Sequence, residues 1–441
     1  MSGPMRLVIA WAALILIGTV LFRLPMSAET TTLGWLDALF TSTSAVCVTG
    51  LTTITVGHDL STVGQGVLLL LIQLGGLGIS TVSTILLFAI GRATLSDQFD
   101  AEQSLAAVRV KPLRLLWWVV SITLVAEGVG TIILANRFGG ADAWWLGLFH
   151  SVSAFCNAGF SLFPDSLMGY RSDFGVIGVM ALLIALGGLG FIALRQMFLW
   201  STAVVRRRRF PLFLHTRVVL AATVAFWVLG AAMFLIFEWS TTLAGEPSGS
   251  KLLAAGFQSV TTRTAGFHSL DFDAMREPTL FLTMFLMFIG GAPGSCAGGV
   301  KVTTVLVVLA TLRAHSRGVQ SVTFLRRTIP PDIVRRAFQL ITLALLFLTV
   351  IVGGLLITEE QAPAPVTHTD HFTALAFEAV SAFGTVGLST GMTPHLSAGG
   401  KLLIIVCMFV GRLGPLVVAL AVFQHRPRVR YEYPTEQLAI G

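Results

Sequence analysis

Long apolar stretches separated by short polar ones run through the whole chain. About 20 apolar residues cross a bilayer as a helix. Eight segments approach or exceed that length: 5–22, 62–90, 112–136, 174–204, 216–239, 279–311 (with a break), 333–358 and 398–423. Between each odd segment and the next even one lies a shorter apolar stretch, at 33–45, 144–154, 251–261 and 372–382. Each is too short to span. Small and polar residues follow it, and then a new span begins.

This pattern repeats in register. With Gly50, Gly159, Gly266 and Gly387 as reference points, the local strings read SAVCVTGL, SAFCNAGF, VTTRTAGF and SAFGTVGL. Six residues before each glycine stand Ser44, Ser153, Val260 and Ser381, so the third string lacks the serine. Roughly 24 to 28 residues further on comes a second glycine cluster: Gly75-Gly76-Leu77-Gly78, Gly187-Gly188-Leu189-Gly190, Gly290-Gly291-Ala292-Pro293-Gly294 and Gly411-Arg412-Leu413-Gly414. The expected unit is span, short helix, glycine strand, span. The expected fold is all-α integral membrane, with four parallel repeats around a pseudo-four-fold axis. It has eight transmembrane helices and four re-entrant pore helices. The repeats are placed at 1–95, 96–205, 206–315 and 316–424, with a cytoplasmic tail at 425–441.

Composition agrees with membrane residence. Of 441 residues, 54% are hydrophobic and only 12% charged, against roughly 25% charged in soluble domains. The first apolar stretch is read as a span rather than a cleaved leader. The net charge of +7 follows topology, not nucleic acid. Basic clusters stand at Arg6; at Arg92, Arg109, Lys111 and Arg114; at Arg206, Arg207, Arg208, Arg209 and Arg217; at Arg313, Arg317, Arg326, Arg327, Arg335 and Arg336; and at Arg426, Arg428 and Arg430. They fall in alternate loops and at both termini, the positive-inside pattern, so both termini are expected in the cytoplasm. Cys47, Cys156, Cys296 and Cys407 lie in apolar or glycine-rich stretches and imply neither metal nor disulfide.

A monovalent cation crossing hydrocarbon needs oxygens in place of its water, and a ring of backbone carbonyls supplies them. Non-helical backbone at that depth is tolerated only inside protein or along a water-filled path. The expected carbonyl-lining residues are Val48, Thr49 and Gly50; Asn157, Ala158 and Gly159; Thr264, Ala265 and Gly266; and Thr385, Val386 and Gly387. Potassium is placed at the carbonyls of the four glycines. The segments carry no carboxylates, which divalent ions would want. Thr385-Val386-Gly387 matches the start of a potassium-channel filter, but no repeat continues into the full five residues. Arg263, three residues before Gly266, is read mainly as a scaffold residue bonded to loop carbonyls or to Asp271. Glu378 and Glu127 are ionisable groups at membrane depth. Glu378 is read as pairing with a backbone amide or with Arg263, and Glu127 with a helix neighbour.

The third repeat departs from the others. Gly290, Gly291, Pro293, Gly294, Ser295, Gly298 and Gly299 cannot sustain a helix, so the sixth span should split around a loop below the filter. Alignment puts Arg412 at the level of Gly76, Gly188 and Gly291. Loop and arginine together form the expected gate, with a buried structural ion pair as the other reading of Arg412, and Lys301 anchors the loop end or makes a cytoplasmic contact.

These strings, with Gly298-Gly299-Val300-Lys301 and Gly411-Arg412-Leu413-Gly414-Pro415, resemble the Trk/Ktr/HKT superfamily of bacterial and plant potassium transporters over almost the whole chain. Trk-type subunits carry two extra N-terminal helices. Here the first repeat opens at about Met5, so the chain is similar to the shorter KtrB-type membrane subunits. The resemblance implies a homodimer in the bacterial cytoplasmic membrane, surrounded by membrane lipid. It also implies a cytoplasmic ring of RCK regulatory subunits (KtrA-like) that carries ATP or ADP, so the nucleotide is not on this chain. Potassium uptake in such proteins is commonly sodium-dependent, which makes Na+ a second candidate ion. The alternatives are a Trk-type or sodium-permeable transporter of the same superfamily and, from another class, an intramembrane hydrolase using a serine with His150 or His268.

Overall fold

The computed structural model describes residues 3–29, 31–77, 112–208, 210–319, 321–324, 327–360 and 369–414. The latter part of the expected span 62–90, the end of the span 398–423 and the tail 425–441 lie outside the described residues. So do Gly78, Arg92, Arg109, Lys111, Arg209, Arg326, Pro415, Arg426, Arg428 and Arg430.

Fifteen α-helices occur among the described residues: α1 (Gly3–Arg23), α2 (Trp35–Cys47), α3 (Val56–Asp59), α4 (Thr62–Gly76), α5 (Pro112–Phe138), α6 (Ala143–Phe155), α7 (Phe174–Gly188), α8 (Phe191–Val205), α9 (Leu214–Glu238), α10 (Ser248–Thr261), α11 (Glu277–Phe288), α12 (Val302–Ser316), α13 (Pro331–Thr358), α14 (His371–Gly384) and α15 (Ala398–Leu413). A two-residue hairpin pairs Thr323–Phe324 with Arg327–Thr328.

Four of these helices contain stretches long and apolar enough to cross a membrane alone: Met5–Arg23, Trp117–Phe138, Leu214–Glu238 and Pro331–Thr358. The described closing helices are shorter or broken. No helix bridges Phe288 to Val302, as the run of glycines and Pro293 leads one to expect. A second break was not expected. Residues 174–204 form two helices, α7 and α8, bent by 107°. Gly190 sits there at φ +83, outside helical space. The next amide, Phe191 N–H, donates to Gly294 O at 3.0 Å instead of to its own helix.

Short helices dock on the preceding long ones by a recurring device. Ser42, Ser151 and Ser259 donate to the carbonyls of Ile15, Glu127 and Trp227 at 2.7, 2.8 and 2.6 Å. Three residues beyond each acceptor stands Gly18, Gly130 or Gly230, where a Cβ would come within 2.4, 2.3 and 2.3 Å of the serine oxygen. Each such bond contributes about 1 kcal/mol, and the glycine is what admits the hydroxyl.

The units also lean on one another in order. Helix α4 packs on α6, α7 on α10, α11 on α14, and α15 returns to α2. That fourth contact closes the cycle. Lys401, on α15, pairs with Asp37, on α2, at 2.9 Å across the same seam.

Candidate functional site

The cyclic packing brings the four reference glycines together. A Cβ on Gly50 would lie 2.5 Å from Ala158 O, on Gly159 2.9 Å from Ala265 O, on Gly266 2.5 Å from Val386 O, and on Gly387 2.1 Å from Thr49 O. Each segment thus presses its pre-glycine carbonyl against the glycine of the preceding segment, and the first segment's carbonyl meets the fourth glycine to complete the round. The glycines stand at φ +96, +74, +80 and +91, so both the conformation and the close approach demand glycine.

A second feature was not read from the sequence. Two residues before each glycine, a non-glycine residue also takes positive φ: Val48 at 56, Asn157 at 59, Thr264 at 70 and Thr385 at 49. Such a conformation costs roughly 1–3 kcal/mol and persists only where surroundings enforce it. Left-handed residues at both ends of a three-residue segment break the strand alternation that would turn successive carbonyls to opposite sides. The polar side-chain atoms of Asn157, Thr264 and Thr385 are buried and find no protein hydrogen-bond partner.

Hydroxyls brace the segments from behind. Ser44 accepts from Gly50 N–H and Ser381 from Gly387 N–H, each at 3.1 Å. Ser153 donates to Phe160 O at 2.8 Å. The third segment, which lacks the serine at Val260, uses its neighbour instead: Thr261 donates to Phe267 O at 2.6 Å. The departure from the pattern is therefore a shift by one residue.

Against the ring lies the 290–299 loop, tied to other units by its backbone. Ala292 N–H donates to Gly188 O and Cys296 N–H to Gly187 O, both at 3.1 Å. Arg412 is buried and donates to Cys296 O from Nη1 and to Gly75 O from Nη2. Lys301 donates to Ala297 O at 2.6 Å. Ser295 donates to Ala292 O at 2.7 Å, closing a turn around Pro293 and Gly294. Arg263 donates to Gly290 O at 3.1 Å, with its guanidinium 5.7 Å from the Phe226 ring centroid.

Glu378 accepts from the hydroxyls of Ser389 and Thr393 and from Thr390 N–H at 3.3 Å. Of the two readings given for it, the amide pairing is the one observed, with no bond to Arg263. Glu127 accepts from Gln73 Nε2 at 3.2 Å. All four cysteines are free and buried. His150 does meet a serine, Ser161, at 3.0 Å. Its other nitrogen faces Leu146 O, and its ring stacks on Phe163 at 4.7 Å, fully buried. Leu146 O and the surrounding aromatic rings thus hold the imidazole in a buried cluster.

Fold and site together define a helical membrane protein in which four glycine segments meet in one closed ring. A family model described as TrkH, cation transport protein, matches residues 1–432. The chain belongs to this family of cation transport proteins. It is 38% identical to the Ktr system potassium uptake protein B of Bacillus subtilis over 449 residues, covering 100% of this chain and 97% of the relative. It is 37% identical to the potassium/sodium uptake protein NtpJ of Enterococcus hirae, covering 100% and 97%. The corresponding Ktr protein B of Vibrio alginolyticus is 35% identical, covering 99% and 95%. The crystal structure of the potassium transporter TrkH from Vibrio parahaemolyticus matches with a TM-score of 0.72 over 95% of this chain and 84% of that one, at 21% identity, a likeness of fold.

Proposed function

We propose that the chain carries potassium ions into a bacterial cell across the cytoplasmic membrane, with both termini in the cytoplasm. Four repeats of span, pore helix, filter strand and span, at 1–95, 96–205, 206–315 and 316–424, surround one path. Carbonyls of the segments ending at Gly50, Gly159, Gly266 and Gly387 replace the ion's water. The 290–299 loop and Arg412 form the gate, because the loop is held against the ring by bonds to other units. An arginine at that level also opposes a cation. The functional unit is a homodimer regulated by a cytoplasmic nucleotide-binding RCK ring, and sodium supports uptake.

The observation that carries this reading is the cyclic approach of each pre-glycine carbonyl to the glycine of the adjacent segment. Rubidium uptake in a transport-deficient cell tests it. Gly159→Ser and Gly387→Ser should each reduce potassium selectivity or abolish uptake, with protein still present in the membrane. Wild-type uptake and selectivity in both would sink it. A more permissive cation path is favoured by two observations. No segment extends into the five-residue potassium filter, and a relative as close as NtpJ is named for both ions. Competition of sodium with rubidium separates the two readings.

A further inference from the structure

Beside the elbow between α7 and α8 the structure leaves a cavity of about 290 Å³. Its walls are almost wholly apolar and include Trp118, Phe155, Leu186, Leu194, Met197 and Trp200, with Ser201 at one side. The cavity adjoins the residues that hold the 290–299 loop. Leu186 precedes Gly187 and Gly188, whose carbonyls accept from Cys296 and Ala292. Leu194 is three residues past Phe191, whose amide donates to Gly294 O.

Helix α8 leaves α7 at 107°. Where α7 crosses a bilayer, α8 must run close to the membrane plane. Its exposed apolar residues, Phe198, Trp200, Val204 and Val205, are those of an interfacial helix. It ends in Arg206, Arg207 and Arg208, all exposed and, among the described residues, without an ion-pair partner. The helix stops in a Schellman turn: Arg208 N–H donates to Ala203 O at 2.8 Å and Arg207 N–H to Val204 O at 2.9 Å. Arg207 takes the left-handed position at φ +51, where glycine is usual. Ser201 and Arg206 are five residues apart, roughly 7.5 Å along a helix. Topology alone accounts for basic residues at a cytoplasmic helix end. It does not account for an apolar cavity one short step away.

We propose that this elbow is a binding site for one anionic phospholipid, with an acyl chain in the cavity and the phosphate on Arg206, Arg207 and Arg208. Apolar walls match the chain, and three exposed cations match the headgroup. Because the cavity backs onto the residues that hold the loop, its occupant stiffens the elbow and biases the loop.

The test uses the full chain in phosphatidylcholine vesicles doped with a phosphatidylglycerol that carries a photoactivatable group in its acyl chain, with labelled residues mapped by mass spectrometry. Label is expected on Trp118, Met197 or Trp200. Unlabelled phosphatidylglycerol should compete with it and phosphatidylcholine should not. The triple variant Arg206→Gln, Arg207→Gln, Arg208→Gln should lower labelling by more than about tenfold. Ser201→Trp, which fills the cavity, should lower it while leaving the charges in place. Label spread evenly over the lipid-facing helices overturns the site. So does labelling that the triple variant leaves unchanged, which would leave the arginines to a soluble protein partner. Disulfide-linked pairs of a Ser201→Cys variant would place a second copy in the cavity, and crosslinks from Ser201 to residues 78–111 would place that segment there; either overturns the lipid assignment. A separate measurement, rubidium flux with and without phosphatidylglycerol, rests on the gate reading. A lipid effect in the wild type that the triple variant loses supports coupling to the loop. An equal lipid response in both overturns that coupling, whatever the labelling shows.

Discussion

Gly298 sits so close to Thr385 that a Cβ built on it would lie 2.0 Å from the threonine hydroxyl oxygen. The loop therefore touches the first residue of the fourth glycine segment. A larger residue at 298 has to push the loop away from the ring. Gly298→Val should raise rubidium flux in vesicles that hold this chain alone. It should also lower the Tm, since overpacking costs typically 1–3 kcal/mol. Flux at or below the wild-type level would show that the loop does not obstruct the path.

Arg412 holds the same loop through Cys296 O. Removing it leaves the Cys296 and Gly75 carbonyls without that donor, a loss of about 1–3 kcal/mol for each buried group. Arg412→Gln should increase flux well above the wild type. Arg412→Lys keeps the charge but loses the two-pronged geometry, and should fall between them. If lysine and glutamine behave alike, the bonds matter more than the charge.

Val48 is a β-branched residue held at φ +56, where Asn is far better tolerated. The second segment already has Asn157 at the matching place. Val48→Asn should raise the Tm by a few degrees, corresponding to about 1 kcal/mol. A lower Tm would mean that packing of the valine methyls outweighs the backbone cost.

Glu378 gathers Ser389, Thr390 and Thr393 just past Gly387. Glu378→Ala leaves these donors unpaired and should cost about 3 kcal/mol or more. Glu378→Gln keeps an acceptor oxygen and should recover much of that. The informative measurement is sodium-to-rubidium selectivity in the glutamine variant. A shift places Glu378 in control of the fourth segment's shape, whereas an unchanged ratio confines it to loop stability.

Thr261 offers a sharper test of the internal repeat. Thr261→Ser should be nearly neutral, because the hydroxyl reaching Phe267 O is retained. Thr261→Val should lose about 1–2 kcal/mol and reduce the amount of folded protein. Equal stability of the two variants would remove the equivalence with Ser153.

The glycine landmarks were legible because their requirement is steric and local. A position with φ near +90, pressed by a neighbouring carbonyl, admits no other residue, so its spacing survives in the sequence. The bend at Leu189-Gly190 was not legible. Gly187-Gly188-Leu189-Gly190 resembles Gly75-Gly76-Leu77-Gly78, and the bend rests on a bond from Phe191 to Gly294, more than a hundred residues later. Tertiary partners decide there, not propensity. The left-handed Val48 was hidden for the opposite reason, since valine argues against the conformation it adopts. Thr261 was missed because counting by fixed spacing hides a one-residue shift, although a hydroxyl beside the empty place was a readable signal.

The seam between α15 and α2 has a consequence for biogenesis. Lys401 reaches Asp37 across 364 residues of chain. Sealing a gap of that span costs only about 1 kcal/mol more entropy than closing a roughly 100-residue loop, so thermodynamics scarcely opposes it. Timing does. Until α15 emerges from the ribosome, α2 lacks that neighbour and the nascent helical ring stays open on one flank.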